Sequence, residues 1–78
     1  YNLPENAYGR RLFKPQYETR DPSILRHGVI VDETARVALL SDFKEWLDAN
    51  GWKVLGFMES PIRGGEGNVE YLLNIRQK

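Results

Sequence analysis

The stretch GGEGNVEYLLNIR, residues 64–76, decides how the C-terminal end of the chain folds. Three of its first four residues are glycine, and the glycines lead into a run in which apolar residues alternate with others. Strict alternation is the pattern of a strand with one buried face, so we expect a strand over residues 69–76. The side chains expected on the buried face are Val69, Tyr71, Leu73 and Ile75.

The glycines of this stretch do not form a phosphate-binding loop. Such a loop lies between a strand and a helix, where the helix N-terminus faces the anion. Here a second strand is expected on the other side, over Trp52–Glu59, and GGEG lacks the Lys-Ser/Thr ending of a P-loop. The glycines are therefore interpreted as a turn that requires positive φ and that presents Glu70. Two strands joined by a short loop are expected to pair antiparallel.

The segment before these strands carries the clearest helical pattern in the chain. Asp32 has the character of an N-cap, and Asn50-Gly51 is a strong C-terminal stop, so we predict a helix over about 33–49. Trp46 and Trp52 are expected to pack the helix against the sheet. The apolar stripe consists of Val37, Leu40, Phe43 and Leu47.

The N-terminal third is less regular. Residues 1–10 are expected to be an irregular lead-in, and residues 11–14 a short strand that ends at Pro15. A polar connection with a turn at Asp21-Pro22-Ser23 and a short strand-like run at residues 28–31 follows. The predicted order is strand, helix, strand, strand, with the first two strands parallel through a right-handed crossover and the last one antiparallel.

Composition limits the possible functions. The chain has 78 residues, with 11 Lys plus Arg and 11 Asp plus Glu, so no global field attracts nucleic acid or an anionic membrane. It contains no cysteine and no apolar run long enough to span a bilayer, and we expect a cytoplasmic location. A chain of this size that opens on Tyr1 rather than Met is expected to be part of a larger protein.

Three stretches in this order resemble one known family. They are LFKPQYE at residues 12–18, GVIVD at residues 28–32 and SPIRGGEGNVEYLL at residues 60–73. The combination resembles the C-terminal part of the TlyA or hemolysin A family, which is similar to FtsJ-type RNA 2′-O-methyltransferases. The resemblance covers about residues 11–76. Two departures are mild: Tyr17 and Arg63 stand where the family usually has Phe and Lys.

The resemblance implies an α/β fold, namely the C-terminal portion of a class I, Rossmann-like methyltransferase with an antiparallel terminal hairpin. It implies S-adenosyl-L-methionine as cofactor, RNA (ribosomal RNA in particular) as partner, and a Lys-Asp-Lys-Glu tetrad. By motif position Lys14 matches the second lysine and Glu70 the glutamate. The other two tetrad members and the glycine-rich cofactor loop have no counterpart in these residues, so the chain alone is expected to be inactive.

The remaining candidates are weaker, and each has a plain structural alternative. Gln16, Glu18, Arg63 and Asn68 are predicted to bind substrate, although Gln16 and Glu18 could equally face water and Asn68 suits a turn. His27 has no metal-binding partners and is expected in a loop. A basic RNA-facing patch of Arg10, Arg11, Arg20, Arg26 and Arg63 competes with ordinary solvated arginines.

A second class of function stays open from the sequence. An α/β sheet with a helix on one face leaves the other face or an edge free to pair with another chain, for example in a homodimer. The chain would then be a non-catalytic interaction module. A membrane-active hemolysin finds no support, because no spanning or strongly basic amphipathic segment is present.

Overall fold

The computed structural model describes residues 8–64 and 67–78. Strand β1 spans Tyr8–Phe13 and is followed by a one-turn helix α1, Pro15–Glu18. A 3₁₀ turn at Pro22–Ile24 leads into a small hairpin of β2, Leu25–Arg26, and β3, Val29–Ile30. The long helix α2 covers Glu33–Ala49, and strands β4, Trp52–Glu59, and β5, Tyr71–Gln77, complete the described chain.

The main sheet has three strands in the order β1-β5-β4, with β5 antiparallel to both neighbours. The terminal antiparallel pair is therefore as predicted. β1 and β4 are therefore parallel to each other, as predicted for the first two strands, but they are not neighbours, because β5 lies between them and pairs with both. β1 also begins at Tyr8, inside the stretch expected to be irregular. Residues 1–7 of that predicted lead-in lie outside the described residues.

Helix α2 confirms the sequence prediction at both ends. The Asp32 carboxylate accepts a hydrogen bond from the Thr34 backbone N–H at 3.0 Å, which satisfies one of the free N–H groups of the first turn. Gly51, with φ +88°, provides the left-handed residue that ends the helix. Leu40, Phe43 and Leu47 are buried, as expected for the apolar stripe, whereas Val37 is largely exposed.

The core lies between α2 and one face of the sheet. Phe13 stacks on Phe43 with ring centroids 4.5 Å apart, and Trp52 is buried in the same cluster, with Trp46 packed against it. The β5 side chains Tyr71, Leu73 and Ile75 are buried here, and Val69 packs beside them. Both tryptophans thus pack helix against sheet, as predicted.

The opposite face of the sheet is not covered by α2. On this face, Leu72 of β5 pairs with Leu12 of β1 on one side and with Met58 of β4 on the other. Successive side chains of a strand point to opposite faces of the sheet. They therefore share the face away from the buried Leu73, and Leu12 and Met58 are exposed. None of the helices in the described part of the chain has the length and apolar content needed to cross a membrane.

The connection between α1 and α2 contains two tight turns. At the predicted Asp21-Pro22-Ser23 turn, Asp21 accepts hydrogen bonds from the Ser23 hydroxyl and the Ser23 backbone N–H, and these bonds lower the pKa of Asp21 from 3.8. His27 and Gly28 both have positive φ between β2 and β3. His27 is thus a turn residue, as expected.

Candidate active site

The C-terminal end of β1 and the start of β5 lie at the same edge of the sheet. Phe13 and Tyr71 form the last pair of the β1–β5 ladder at this end. Lys14 follows Phe13 and Glu70 precedes Tyr71, so the two residues occupy opposing positions one step beyond the paired strands. The predicted common rim is therefore present in the backbone.

Glu70 is a buried acid, 4% exposed. Its Oε2 accepts a hydrogen bond from Gln16 Nε2 at 2.7 Å. Its backbone carbonyl accepts a bond from the Ser60 N–H at 2.7 Å, which ties the residue after β4 to the residue before β5. A buried carboxyl group needs hydrogen-bond donors around it, and the Gln16 amide supplies one to Glu70.

The glycine-containing loop closes over Glu70. An added Cβ at Gly64 would overlap the Glu70 carboxylate, so only a glycine permits this approach. The Gly64 N–H donates to the Asn68 carbonyl at 2.8 Å, and the Gly67 N–H donates to the Gly64 carbonyl at 2.9 Å. Gly67 has φ +91°, a conformation that glycine adopts without strain. Gly65 and Glu66 lie outside the described residues.

The position of this loop agrees with the sequence interpretation. It joins the two strands β4 and β5, and the helix required by a phosphate-binding loop does not follow it.

Lys14 lies at the rim with its side chain in solvent. Its Nζ is 5.7 Å from the centroid of the Tyr17 ring, within reach of a weak cation–π interaction. Among the described residues, no ion pair joins Lys14 to Glu70. The two residues therefore lie at the same rim, with the Lys14 side chain exposed and the Glu70 side chain buried.

The four predicted substrate-binding residues divide into two kinds. Gln16 and Asn68 are buried, and their amides contact the protein. Asn68 Oδ1 accepts from the Ile30 N–H at 3.0 Å, and Asn68 Nδ2 donates to the Gly28 carbonyl at 2.8 Å. Glu18 is exposed at the end of α1, and Arg63 is exposed in the loop that follows β4.

Arg63 lies 3.9 Å from the Glu59 carboxylate, a solvent-exposed pair of little strength. Arg63 therefore stays available to a ligand. The substrate-binding roles of Gln16, Glu18, Arg63 and Asn68 remain predictions.

One residue that the sequence did not single out also reaches the start of β5. Arg36, in the second turn of α2, donates from Nε to the Tyr71 hydroxyl at 3.2 Å. This bond ties the N-terminal part of α2 to the residue next to Glu70. Arg36 follows the predicted helix start at residue 33 by three positions, but no local pattern indicates which strand residue it contacts.

The five arginines considered as one basic patch do not share one surface. Arg10 and Arg11 are consecutive in β1, so their side chains leave opposite faces of the sheet. Arg11 donates from its guanidinium to the Arg10 carbonyl at 3.0 Å. In the described part of the chain, no cluster of acids and histidines is arranged to hold a metal ion.

These features define a class of structure: a mixed α/β unit with an antiparallel sheet, one helix-covered face, and a buried carboxylate at the sheet rim. No protein-family model matches the chain. Individual relatives do. The chain is 38% identical over 61 residues to the 23S rRNA (cytidine-2'-O)-methyltransferase TlyA of Campylobacter jejuni, covering 77% of this chain and 24% of that protein. It is 34% identical over 64 residues to Hemolysin A of Brachyspira hyodysenteriae, covering 82% and 27%.

A solved structure agrees with these matches. The structure described as "Putative hemolysin from Streptococcus thermophilus" superposes with a TM-score of 0.86 at 26% identity, covering 97% of this chain and 27% of that one. The chain is a relative of the TlyA and hemolysin A proteins, and the family resemblance predicted from its motifs is confirmed. It spans about a quarter of the length of the curated relatives it matches.

Proposed function

We propose that this chain is the C-terminal part of an S-adenosyl-L-methionine-dependent RNA 2′-O-methyltransferase with a Rossmann-like domain, acting on ribosomal RNA. The observation that supports it most is the opposition of Lys14 and buried Glu70 across the end of the β1–β5 ladder. These are the two positions that the family motif assigns to a lysine and a glutamate of the tetrad. The rRNA methyltransferase activity named for a relative supports the reaction class.

The chemistry requires a base beside the ribose. A 2′-hydroxyl is a poor nucleophile until its proton is drawn away, and a lysine accepts that proton only when its surroundings disfavour the charged amine. A nearby cation from another lysine supplies that condition, and a fixed carboxylate orients the amine. In this proposal Lys14 acts on the hydroxyl and Glu70 orients Lys14. Glu18 and Arg63, exposed near the same rim, contact the RNA.

The cofactor supplies the methyl group when it is bound, but none of the described residues is assigned to it. The glycine turn of this chain connects two strands, and Gly64 is packed against Glu70, so the loop offers no cradle of the strand-to-helix type. The cofactor site is therefore proposed to lie outside this segment.

The test uses the full-length protein that carries this segment. Purified protein, labelled S-adenosyl-L-methionine and unmodified ribosomal RNA are incubated, and the label is mapped by resistance of the methylated linkage to alkaline hydrolysis. Lys14→Ala and Glu70→Ala are expected to abolish methylation with the circular dichroism spectrum unchanged. Matched controls are Lys53→Ala and Glu45→Ala, two exposed residues away from the rim. Full turnover in both rim variants would remove the catalytic assignment.

A second function is favoured by the sheet face that α2 leaves uncovered. Leu12 and Met58 are 47% and 56% exposed there, beside the partly buried Leu72. Exposed apolar patches of this kind are typical of protein contacts, and a non-catalytic homodimer module would use this one. Sedimentation of the full-length protein separates the two: a concentration-dependent dimer abolished by Met58→Glu, with no methylation, favours the module.

A further inference from the structure

Gln16 is buried beside Glu70 although the two residues come from opposite ends of the chain. Gln16 is 8% exposed and Glu70 is 4% exposed. The bond between Gln16 Nε2 and Glu70 Oε2 is 2.7 Å long, within the normal range for an N–H···O hydrogen bond. Among the described residues, Gln16 is the side chain that donates to this carboxylate.

The orientation of the Gln16 amide follows from the chemistry of its partner. The Gln16 amide nitrogen donates to the Glu70 carboxyl oxygen, so the amide turns its NH₂ group toward Glu70 and its oxygen away. Gln16 Oε1 is then enclosed, with no hydrogen-bond partner in the described part of the chain. Leaving a buried acceptor unpaired is unfavourable, so packing alone does not explain a glutamine at this position.

The backbone holds Gln16 in place. Pro15 is among the most fully buried residues and fixes the start of α1 directly after β1. The Tyr17 N–H donates to the Lys14 carbonyl at 3.0 Å, and the Thr19 N–H donates to the Pro15 carbonyl at 3.2 Å. Gln16 thus sits on a rigid turn at the rim, and its donor group is pre-set toward Glu70.

We infer that Gln16 is a positioning residue, which orients the Glu70 carboxylate for the methyl-transfer reaction instead of binding RNA directly. The inference rests on the proposed function and assigns a different role to a residue first predicted to contact substrate. Partners that orient metal-ligating residues typically contribute about tenfold to hundredfold in activity, and we expect an effect of the same order for Gln16. A residue that binds RNA would instead act mainly on KM.

The experiment compares Gln16→Met with the wild type in the full-length protein, with Gln77→Met as matched control. Methionine keeps the length of glutamine and removes both polar groups, and Gln77 lies at the opposite end of β5. For Gln16→Met we expect kcat to fall about tenfold to hundredfold while KM for RNA changes by less than about twofold. Gln77→Met should change neither constant.

A second measurement does not depend on turnover. In an NMR spectrum of the ¹⁵N-labelled protein, the Gln16 side-chain NH₂ signals should be protected from solvent exchange, and Glu70→Ala should remove that protection. If Gln16→Met fails to fold by circular dichroism, Gln16→Leu, which also lacks a donor and adds no charge beside Glu70, replaces it in the kinetic arm with the same expected fall in kcat.

The possible results separate the two claims. The positioning role is overturned if Gln16→Met leaves kcat unchanged, whether or not KM rises. It is also overturned if the exchange protection of the Gln16 NH₂ signals is the same in the Glu70→Ala variant. Either result leaves an active methyltransferase. A wild-type protein without methyltransferase activity would overturn the proposed function and the positioning role together.

Discussion

Gly64 shows how much a single missing side chain can determine at the candidate site. Its Cα lies against the Glu70 carboxylate, and a methyl group there would overlap it. The carboxylate is the end of a flexible side chain, but it is buried and bonded to Gln16, so moving it breaks that bond. The sequence showed a glycine turn before Glu70; it did not show which glycine contacts the acid.

Gly64→Ala in the full-length protein is therefore expected to lower the methylation rate by about tenfold or more, in the range of a lost positioning contact. The measurement is the single-turnover rate with RNA in excess. Gly56→Ala is the control, because nothing lies within 4 Å of an added Cβ there and its φ is not positive. Equal rates for the two variants would contradict the close packing of Gly64 on Glu70.

Asp21 gives a residue-scale prediction away from the site. Its pKa is lowered from 3.8, first by the Ser23 hydroxyl and then by the Ser23 backbone N–H. A carboxyl whose pKa is lower in the folded than in the unfolded state stabilises the folded state at pH above its unfolded-state pKa. That contribution is lost as the pH falls through the folded-state pKa. Ser23→Ala should raise the pKa of Asp21 toward 3.8 in an NMR titration, whereas Ser41→Ala on α2 should leave it unchanged.

At the scale of elements, Asn68 connects the β2–β3 hairpin to the loop before β5. It is 3% exposed, and its amide oxygen accepts a hydrogen bond from the Ile30 N–H while its amide nitrogen donates one to the Gly28 carbonyl. Asn68→Ala leaves the buried Ile30 N–H without its acceptor, which should cost about 1–3 kcal/mol. Faster hydrogen exchange at the Ile30 amide, together with a lower urea midpoint, would report the loss.

The control for this prediction is Asn74→Ala, since Asn74 is exposed in the middle of β5. An exposed substitution of this kind is expected to stay within about 0.5 kcal/mol of the wild type. If the two variants lose the same stability, the Asn68 amide does not hold the hairpin.

The elements also show which parts of the fold the sequence could predict. Helix α2 and strands β4 and β5 carry periodic apolar patterns and strong end signals, and each was predicted to within about two residues. The short helix α1 and the insertion of β5 beside β1 were missed. Neither has a local signal: α1 is a single turn set by Pro15, and strand order depends on contacts between segments far apart in the chain.

The candidate site divides in the same way. The common rim of Lys14 and Glu70 could be predicted, because strand direction and order along the chain suffice for it. The inward orientation of the Gln16 and Asn68 side chains could not be predicted. The sequence does not indicate whether the amide of such a residue contacts solvent or a buried partner.

For the whole molecule, the sheet is open on two sides. β1 and β4 are the outer strands, each paired on one side only in the described chain. The face away from α2 exposes Leu12 and Met58. A chain this small buries only part of its surface. The open edges and the uncovered face therefore agree with a segment that spans about a quarter of the length of the relatives it matches.

The last prediction concerns the isolated 78-residue chain. Because the cofactor site is proposed to lie outside it, the purified chain should not bind S-adenosyl-L-methionine in calorimetry and should not methylate RNA, whereas the full-length protein should do both. Circular dichroism first establishes that the chain has its helix and strands, so that absence of binding is not absence of folding. Heat of binding from a folded isolated chain would place a cofactor contact within these residues and would contradict the proposed division of the site.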